Sequence, residues 1–310
     1  MEKPGKSNGE DNTLEIVPPI RPPETESDGP ASSKVEVDIA AATHRGLVRA
    51  NNEDHYLALR FGRSLETVST NIAEESLDPS FEQTGYGLVV ADGMGGMAAG
   101  DVASRTALSK LVELVVNTPD WFMRLDQRED VARVSRRMTL RFRHIDDELR
   151  ERAQNNRALQ GMGTTLTVAV SLGWNLLIGH IGDSRAYLLR KKRLHQLTRD
   201  DTLAQALIDA GIADPEDTAT RAMRHVLTAA IGSTGEPVDP QVQRLHLNHN
   251  DQILLCTDGL TGMVPDEVIA STLLEAPSAN EACQTLVDLA LNAGGVDNVT
   301  IVLARYRFSA

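Results

Sequence analysis

Two spacings of apolar residues alternate along the chain. Residues Val35–His44 (VEVDIAAATH) and 55–61 (HYLALRF) carry apolar side chains at roughly every second position, which predicts strands buried on one face. Residues 85–96 (GYGLVVADGMGG) begin as an apolar run and end in Gly-rich sequence, the pattern of a buried strand entering a turn. Between these strands, 62–84 is polar and acidic and is expected to be a long loop. Residues 98–117 and 128–156 repeat Leu or Val at i, i+3 and i+4, so both are predicted helices, the second heavily charged on its outer face. Short strands are expected at 164–172, 175–182, 184–190 and 193–197, then a helix at 202–210 and a polar stretch to Arg224. A strand at 252–257, a helix at 265–274 opened by Pro at a tolerated early position, a helix at 279–292 and a strand at 298–306 complete the pattern. Strands and helices come in blocks rather than in strict alternation. That predicts an α+β protein with sheets packed against helices, not a doubly wound parallel sheet.

Residues 1–34 differ. Pro4, Pro18, Pro19, Pro22, Pro23 and Pro30 sit among Gly, Ser, Asp and Glu, with too little apolar surface to offset the entropy of ordering. This segment reads as a disordered tail, in which 14–23 (LEIVPPIRPP) has polyproline II character, and 35–310 reads as one domain. Hydrophobic residues make up 41% of the 310 positions and aromatics only 4%, so the core must be built from Val, Leu, Ile and Ala. A net charge of −13 excludes a nucleic-acid binder, which needs clustered Lys and Arg. It does not exclude phosphate chemistry, because bound cations can reverse the local sign. Cys256 and Cys283 fit neither a disulfide framework nor a zinc-knuckle spacing and read as buried apolar side chains. No signal-like or membrane-length apolar segment is found, so a cytoplasmic location without membrane contact is expected.

The chemistry is suggested by where aspartates fall. Asp92 follows LVVA and precedes Gly93, Asp183 follows LLIGHIG, Asp258 follows ILLCT and precedes Gly259, and Asp297 lies in GGVDN before the last strand. Asp-Gly pairs are ordinary turn material, so each alone says little. An Asp beside an apolar strand end four times over says more, because a strand end is a rigid platform and Gly lets backbone approach an ion. Carboxylates without His or Cys companions suit a hard cation, Mg²⁺ or Mn²⁺. Upstream, Arg49 in GLVRANNED offers a planar fork that matches two phosphate oxygens, with Glu53 and Asp54 close behind.

These pieces, in this order, resemble the bacterial branch of the metal-dependent serine/threonine protein phosphatases, protein phosphatase type 2C. The matching segments are GLVRANNED (46–54), VVADGMGGMAAGDVAS (89–104), GMGTTLTVAV (161–170), IGHIGDSRAYLLR (178–190), LTRDDTLAQALIDAGI (197–212), LTAAIGS (227–233), DQILLCTDGLTGMV (251–264) and GGVDNVTIVLARY (294–306). The resemblance implies a four-layer α-β-β-α sandwich, two antiparallel sheets flanked by helices on both faces. It implies a centre of two Mn²⁺ or Mg²⁺ ions with a weaker third. Asp92 and the Gly93 carbonyl, with Asp258 and Asp297, would hold the pair, Asp183 would join Asp258 at the third ion, and Glu53 and Asp54 would act through bound water. Arg49 would hold the phosphate. The implied activity is hydrolysis of phosphoserine and phosphothreonine in proteins, with a Ser/Thr kinase and its substrates as partners, by a monomer.

Two departures stand out. Where some members carry His after Asp-Gly, this chain has Met94, which leaves the proton donor unassigned; His55 reads as structural. In LTRDDT, Asp201 stands where His is frequent, inside a flap expected at about 190–228. Rival phosphatase chemistries fail on residues. Six positions after the cysteines stand Gly262 and Leu289 rather than Arg, no Gly-Lys-Ser/Thr occurs, and Gly182-Asp183 is followed by Ser184-Arg185 rather than His. A small-molecule phosphatase with the same centre, or an inactive binding module, are the alternatives.

Overall fold

Antiparallel pairing of sequence-distant strands organises the chain, as seen in a computed structural model that describes residues 35–73, 80–95, 99–118, 128–214, 217–233 and 237–308. The expected tail and its polyproline segment lie outside these residues, as does Gly96 of the Gly-rich turn. The strands are β1 (Val35–His44), β2 (His55–Glu66), β3 (Ser80–Ala91), β4 (Gly93–Met94), β5 (Gly163–Thr164), β6 (Leu166–Leu172), β7 (Asn175–Ile181), β8 (Arg185–Arg190), β9 (Arg193–Gln196), β10 (Gln241–His246), β11 (Gln252–Cys256) and β12 (Val299–Phe308). The helices are α1 (Ala99–Val116), α2 (Arg128–Asn155), α3 (Leu203–Asp209), α4 (Thr218–Ala222), α5 (Asp258–Thr261), α6 (Asp266–Glu275) and α7 (Ala279–Asn292). One sheet has the order β1-β12-β11-β8-β9 and the other β10-β7-β6-β3-β2, while β4 and β5 form a short pair of their own.

Period-two alternation sorts side chains into layers. From β3, Leu88 and Val90 point between the sheets, where they meet Leu255, Val302 and Ala304. Their neighbours Val89 and Ala91 face α1 and α2. In α2, Met138, Phe142, Ile145 and Leu149 form the buried stripe expected of a helix laid on a sheet. On the other outer face, Leu254, Cys256, Ile301 and Leu303 pack under α6 and α7. The result is the expected four-layer sandwich. Both cysteines are buried and unpaired.

Three expectations need correction. The loop expected at 62–84 is much shorter, because β2 runs to Glu66 and β3 starts at Ser80, with Gly62 opposite Thr84 and Glu66 opposite Ser80. β2 is an edge strand, so polar residues there keep solvent contact while the ladder satisfies their backbone. Arg63 Nε donates to Gln83 Oε1 across the pair at 2.7 Å. Strand β10 was not expected at all; its sequence QVQRLH is polar, and it forms because β7 supplies a partner edge. The polar stretch before Arg224 contains α4. No described helix is long and apolar enough to cross a membrane.

Candidate active site

Register brings the acidic residues to one end of the sandwich. Ala91 pairs with His55, so Asp92 after β3 lies beside Asp54 before β2. His44 pairs with Val299, which sets the 45–54 loop against Asp297. Cys256 pairs with Ile301 and with Arg185, which places Asp258 near Asp297 and Asp183. A cleft of about 820 Å³ opens there, lined in part by Arg49, Glu53, Asp92, Gly93, Asp183, Asp258 and Asp297. Asp54 sits just beneath, buried.

The two Asp-Gly pairs are not simple turns. Gly93 lies in β4, where a Cβ would stand 2.2 Å from the Gly100 carbonyl oxygen and 2.6 Å from that of Glu53. At Gly259 in α5 it would stand 1.9 Å from the Asn298 carbonyl oxygen. Glycine is required at both places by close backbone approach, and that approach presses the acidic loops together.

Hydrogen bonds fix the rest. Thr165 Oγ1 accepts from the Asp92 N–H at 2.9 Å, while the Asp92 carbonyl accepts from the Thr164 hydroxyl and the Thr165 N–H. Thr257 Oγ1 donates to Asp54 Oδ2 at 2.8 Å and accepts from the Thr300 N–H at 3.0 Å. Asn298 is a hub that the sequence reading missed. Its Oδ1 accepts from the Glu53 N–H, its Nδ2 donates to the carbonyls of Arg45 and Asn51, and its N–H caps Asp297 Oδ1, each at 2.8 Å. Asp201 Oδ2 accepts from the Gly182 N–H at 3.0 Å, which ties the segment after β9 to the Asp183 turn.

The electrostatics are those of crowded acids. Burial, then repulsion from Asp54, Asp258, Asp183 and Asp297, holds the Asp92 carboxyl well above the usual range. Burial pushes Asp54 up to about 7, against hydrogen bonding to Thr257. Burial and the neighbouring Asp258 push Asp183 up to about 7 as well. Arg49 Nη2 donates to Asp297 Oδ2 at 2.7 Å, and that bond raises the guanidinium's proton affinity further. His225, also missed, lines the cleft with Nδ1 3.5 Å from Asp258 Oδ2, and this contact shifts its imidazole upward. An isolated His in a polar stretch gives no periodicity or motif by which to find it. His55 bonds Ser104 through Nδ1 and faces Asp101 through Nε2, which agrees with a structural role. Met94 lines the cleft and offers no proton.

Among the described residues, no three His, Cys, Asp or Glu side chains are already gathered tightly enough to hold an ion. The donor set nevertheless fits a hard divalent cation. It consists of carboxylates that repel one another, and Asp54 Oδ1 is buried with no hydrogen-bond partner among the described residues.

A two-sheet sandwich with helices on both outer faces and a carboxylate cleft beside a guanidinium defines the class: an α+β protein with an acidic cleft whose side chains fit divalent cations. The sequence profile described as "Protein phosphatase 2C" matches residues 76–290. The chain belongs to the protein phosphatase 2C family. It is 37% identical over 265 residues to the serine/threonine protein phosphatase PstP of Mycobacterium tuberculosis, covering 86% of this chain and 44% of that protein. It thus spans less than half the length of that relative. It is 31% identical over 270 residues to the protein phosphatase PhpP of Streptococcus pneumoniae, covering 86% of this chain and 96% of that protein. The crystal structure of a PstP catalytic domain in complex with two manganese ions superposes with a TM-score of 0.67 at 34% identity, covering 88% and 99% of the two chains.

Proposed function

We propose that this chain hydrolyses phosphoserine and phosphothreonine esters in proteins at a divalent-cation centre. The observation that carries the reading is the convergence of Asp92, Asp183, Asp258 and Asp297 in one cleft with Arg49. Asp92, the Gly93 carbonyl, Asp258 and Asp297 would hold two Mn²⁺ or Mg²⁺ ions, and Asp183 with Asp258 a weaker third. When bound, such ions supply a water acidic enough to attack phosphorus near neutral pH and offset the charge of the phosphate. Glu53 and Asp54 orient water at the edge of the centre, and the Thr257 hydroxyl fixes the Asp54 rotamer. Arg49 is exposed on its loop and exchanges its Asp297 contact for two phosphate oxygens of the substrate. The flap expected at about 190–228 borders the cleft through His225, Val226 and Leu227, after β9, and shapes access to it.

Kinase-made phosphoproteins are the matching substrates, and this chemistry would reverse Ser/Thr kinase signalling. Buried, unpaired cysteines suit a reducing cytoplasm. The test is hydrolysis of p-nitrophenyl phosphate and a phosphothreonine peptide, expected only with Mn²⁺ or Mg²⁺ and abolished by EDTA. Asp92→Asn and Asp258→Asn should each remove turnover and weaken calorimetric Mn²⁺ binding while circular dichroism stays unchanged. Full activity in either variant refutes the assignment.

A further inference from the structure

The two loops that bring Arg49 and Asp297 to the cleft also carry exposed aliphatic side chains, in a chain of net charge −13. Leu47 is 64% exposed, Val48 70% and Val296 48%. They come from two loops, one joining β1 to β2 and the other joining α7 to β12. These loops are pinned to one another. The Leu47 N–H donates to the Gly295 carbonyl at 2.7 Å, Arg49 pairs with Asp297, and Asn298 holds the carbonyls of Arg45 and Asn51. A Cβ on Gly295 would stand 3.0 Å from Leu47 Cγ, so the two loops touch at this point. Aliphatic side chains left largely exposed on braced loops are available to a partner.

What covers this surface follows from its place. Val48 is adjacent in sequence to the guanidinium that receives the phosphate. An extended peptide advances about 3.3–3.6 Å per residue. The loops that bring Arg49 and Asp297 to the cleft also carry Leu47, Val48 and Val296, so the residues flanking a phosphorylated side chain held by Arg49 would run beside these loops. Acidic flanks are disfavoured there, because the floor holds Asp92, Asp183, Asp258 and Asp297 and the chain carries a net charge of −13. Building on the phosphatase reading above, we infer that Leu47, Val48 and Val296 form a docking surface for phosphorylated segments with an aliphatic residue within three positions of the phosphoserine or phosphothreonine.

Two phosphothreonine peptides of equal length test this, one with Leu and one with Ser at the flanking positions, otherwise identical. The unmodified protein should favour the Leu peptide in kcat/KM by roughly fivefold, the gain from partly burying one aliphatic side chain. Val48→Ser should bring the ratio of the two kcat/KM values close to one, and so should Val296→Ser, which keeps the test valid if one variant misfolds. A ratio near one in the unmodified protein, or an unchanged ratio in both folded variants, overturns the docking surface and leaves the phosphatase reading intact. Failure to hydrolyse both peptides and p-nitrophenyl phosphate in Mn²⁺ overturns both.

Discussion

Replacing Thr257 by Val keeps the volume of a fully buried side chain and deletes its hydroxyl. Two bonds go with it: the donation to Asp54 Oδ2 at 2.8 Å and the acceptance from the Thr300 N–H at 3.0 Å. Losing a hydrogen bond to a buried carboxylate costs about 1.5–3 kcal/mol, and orphaning a buried N–H about 1–3 kcal/mol. The two effects share one site and do not simply add, so roughly 3 kcal/mol is expected. At about 2–4 °C per kcal/mol for a domain of this size class, Tm should fall by roughly 6–12 °C. The measurement is thermal unfolding in EDTA at pH 8, where Asp54, pushed up to about 7, carries its charge. Mn²⁺ binding measured by calorimetry should weaken by about tenfold, the usual effect of losing a hydrogen-bond partner beyond the ligands themselves, here the one that holds the water-orienting Asp54. Thr257→Ser keeps the hydroxyl and should lose only about 1 kcal/mol for its methyl group. A Val variant with Tm within 2 °C of the parent (roughly the effect of a single kcal/mol) and unaltered Mn²⁺ affinity would refute the claim that Thr257 positions Asp54.

Stability should also depend on pH with a defined sign. Asp54 and Asp183 are pushed from the ordinary carboxylate range up to about 7, so between about pH 4 and 7 the folded chain holds protons the unfolded chain has released. Metal-free Tm should therefore fall as pH rises from 5 to 8, and the gain in Tm on adding Mn²⁺ should be larger at pH 8 than at pH 5. A metal-free Tm that is flat or rises over that range contradicts the acid crowding. For Arg49→Ala, KM for a phosphopeptide should rise by about tenfold with kcat little changed, the loss of one exposed charge-assisted contact. A change confined to kcat, read from steady-state kinetics, would move Arg49 into stabilising the transition state.

The sequence by itself determined the two spacings that became strands and helices, because period-two and period-3.6 burial are local properties of the chain. It also marked Asp92, Asp183, Asp258 and Asp297, since an Asp at the end of an apolar strand is visible without coordinates. It could not supply partners. Strand β10 and the far ends of β2 and β3 are polar, and they are strands only because β7 and each other offer open edges. The Asp-Gly pairs looked like turns in the sequence. Only the approach of Gly93 to Gly100 and of Gly259 to Asn298 shows that glycine there is a matter of space. Asn298 became a hub through loops about 250 positions away in the chain, and His225 reached the cleft because its segment folds back beside Asp258. The division has one physical reason. Side-chain period and turn chemistry act over a few residues, whereas a cluster of repelling carboxylates exists only once antiparallel register has carried distant strand ends to the same edge.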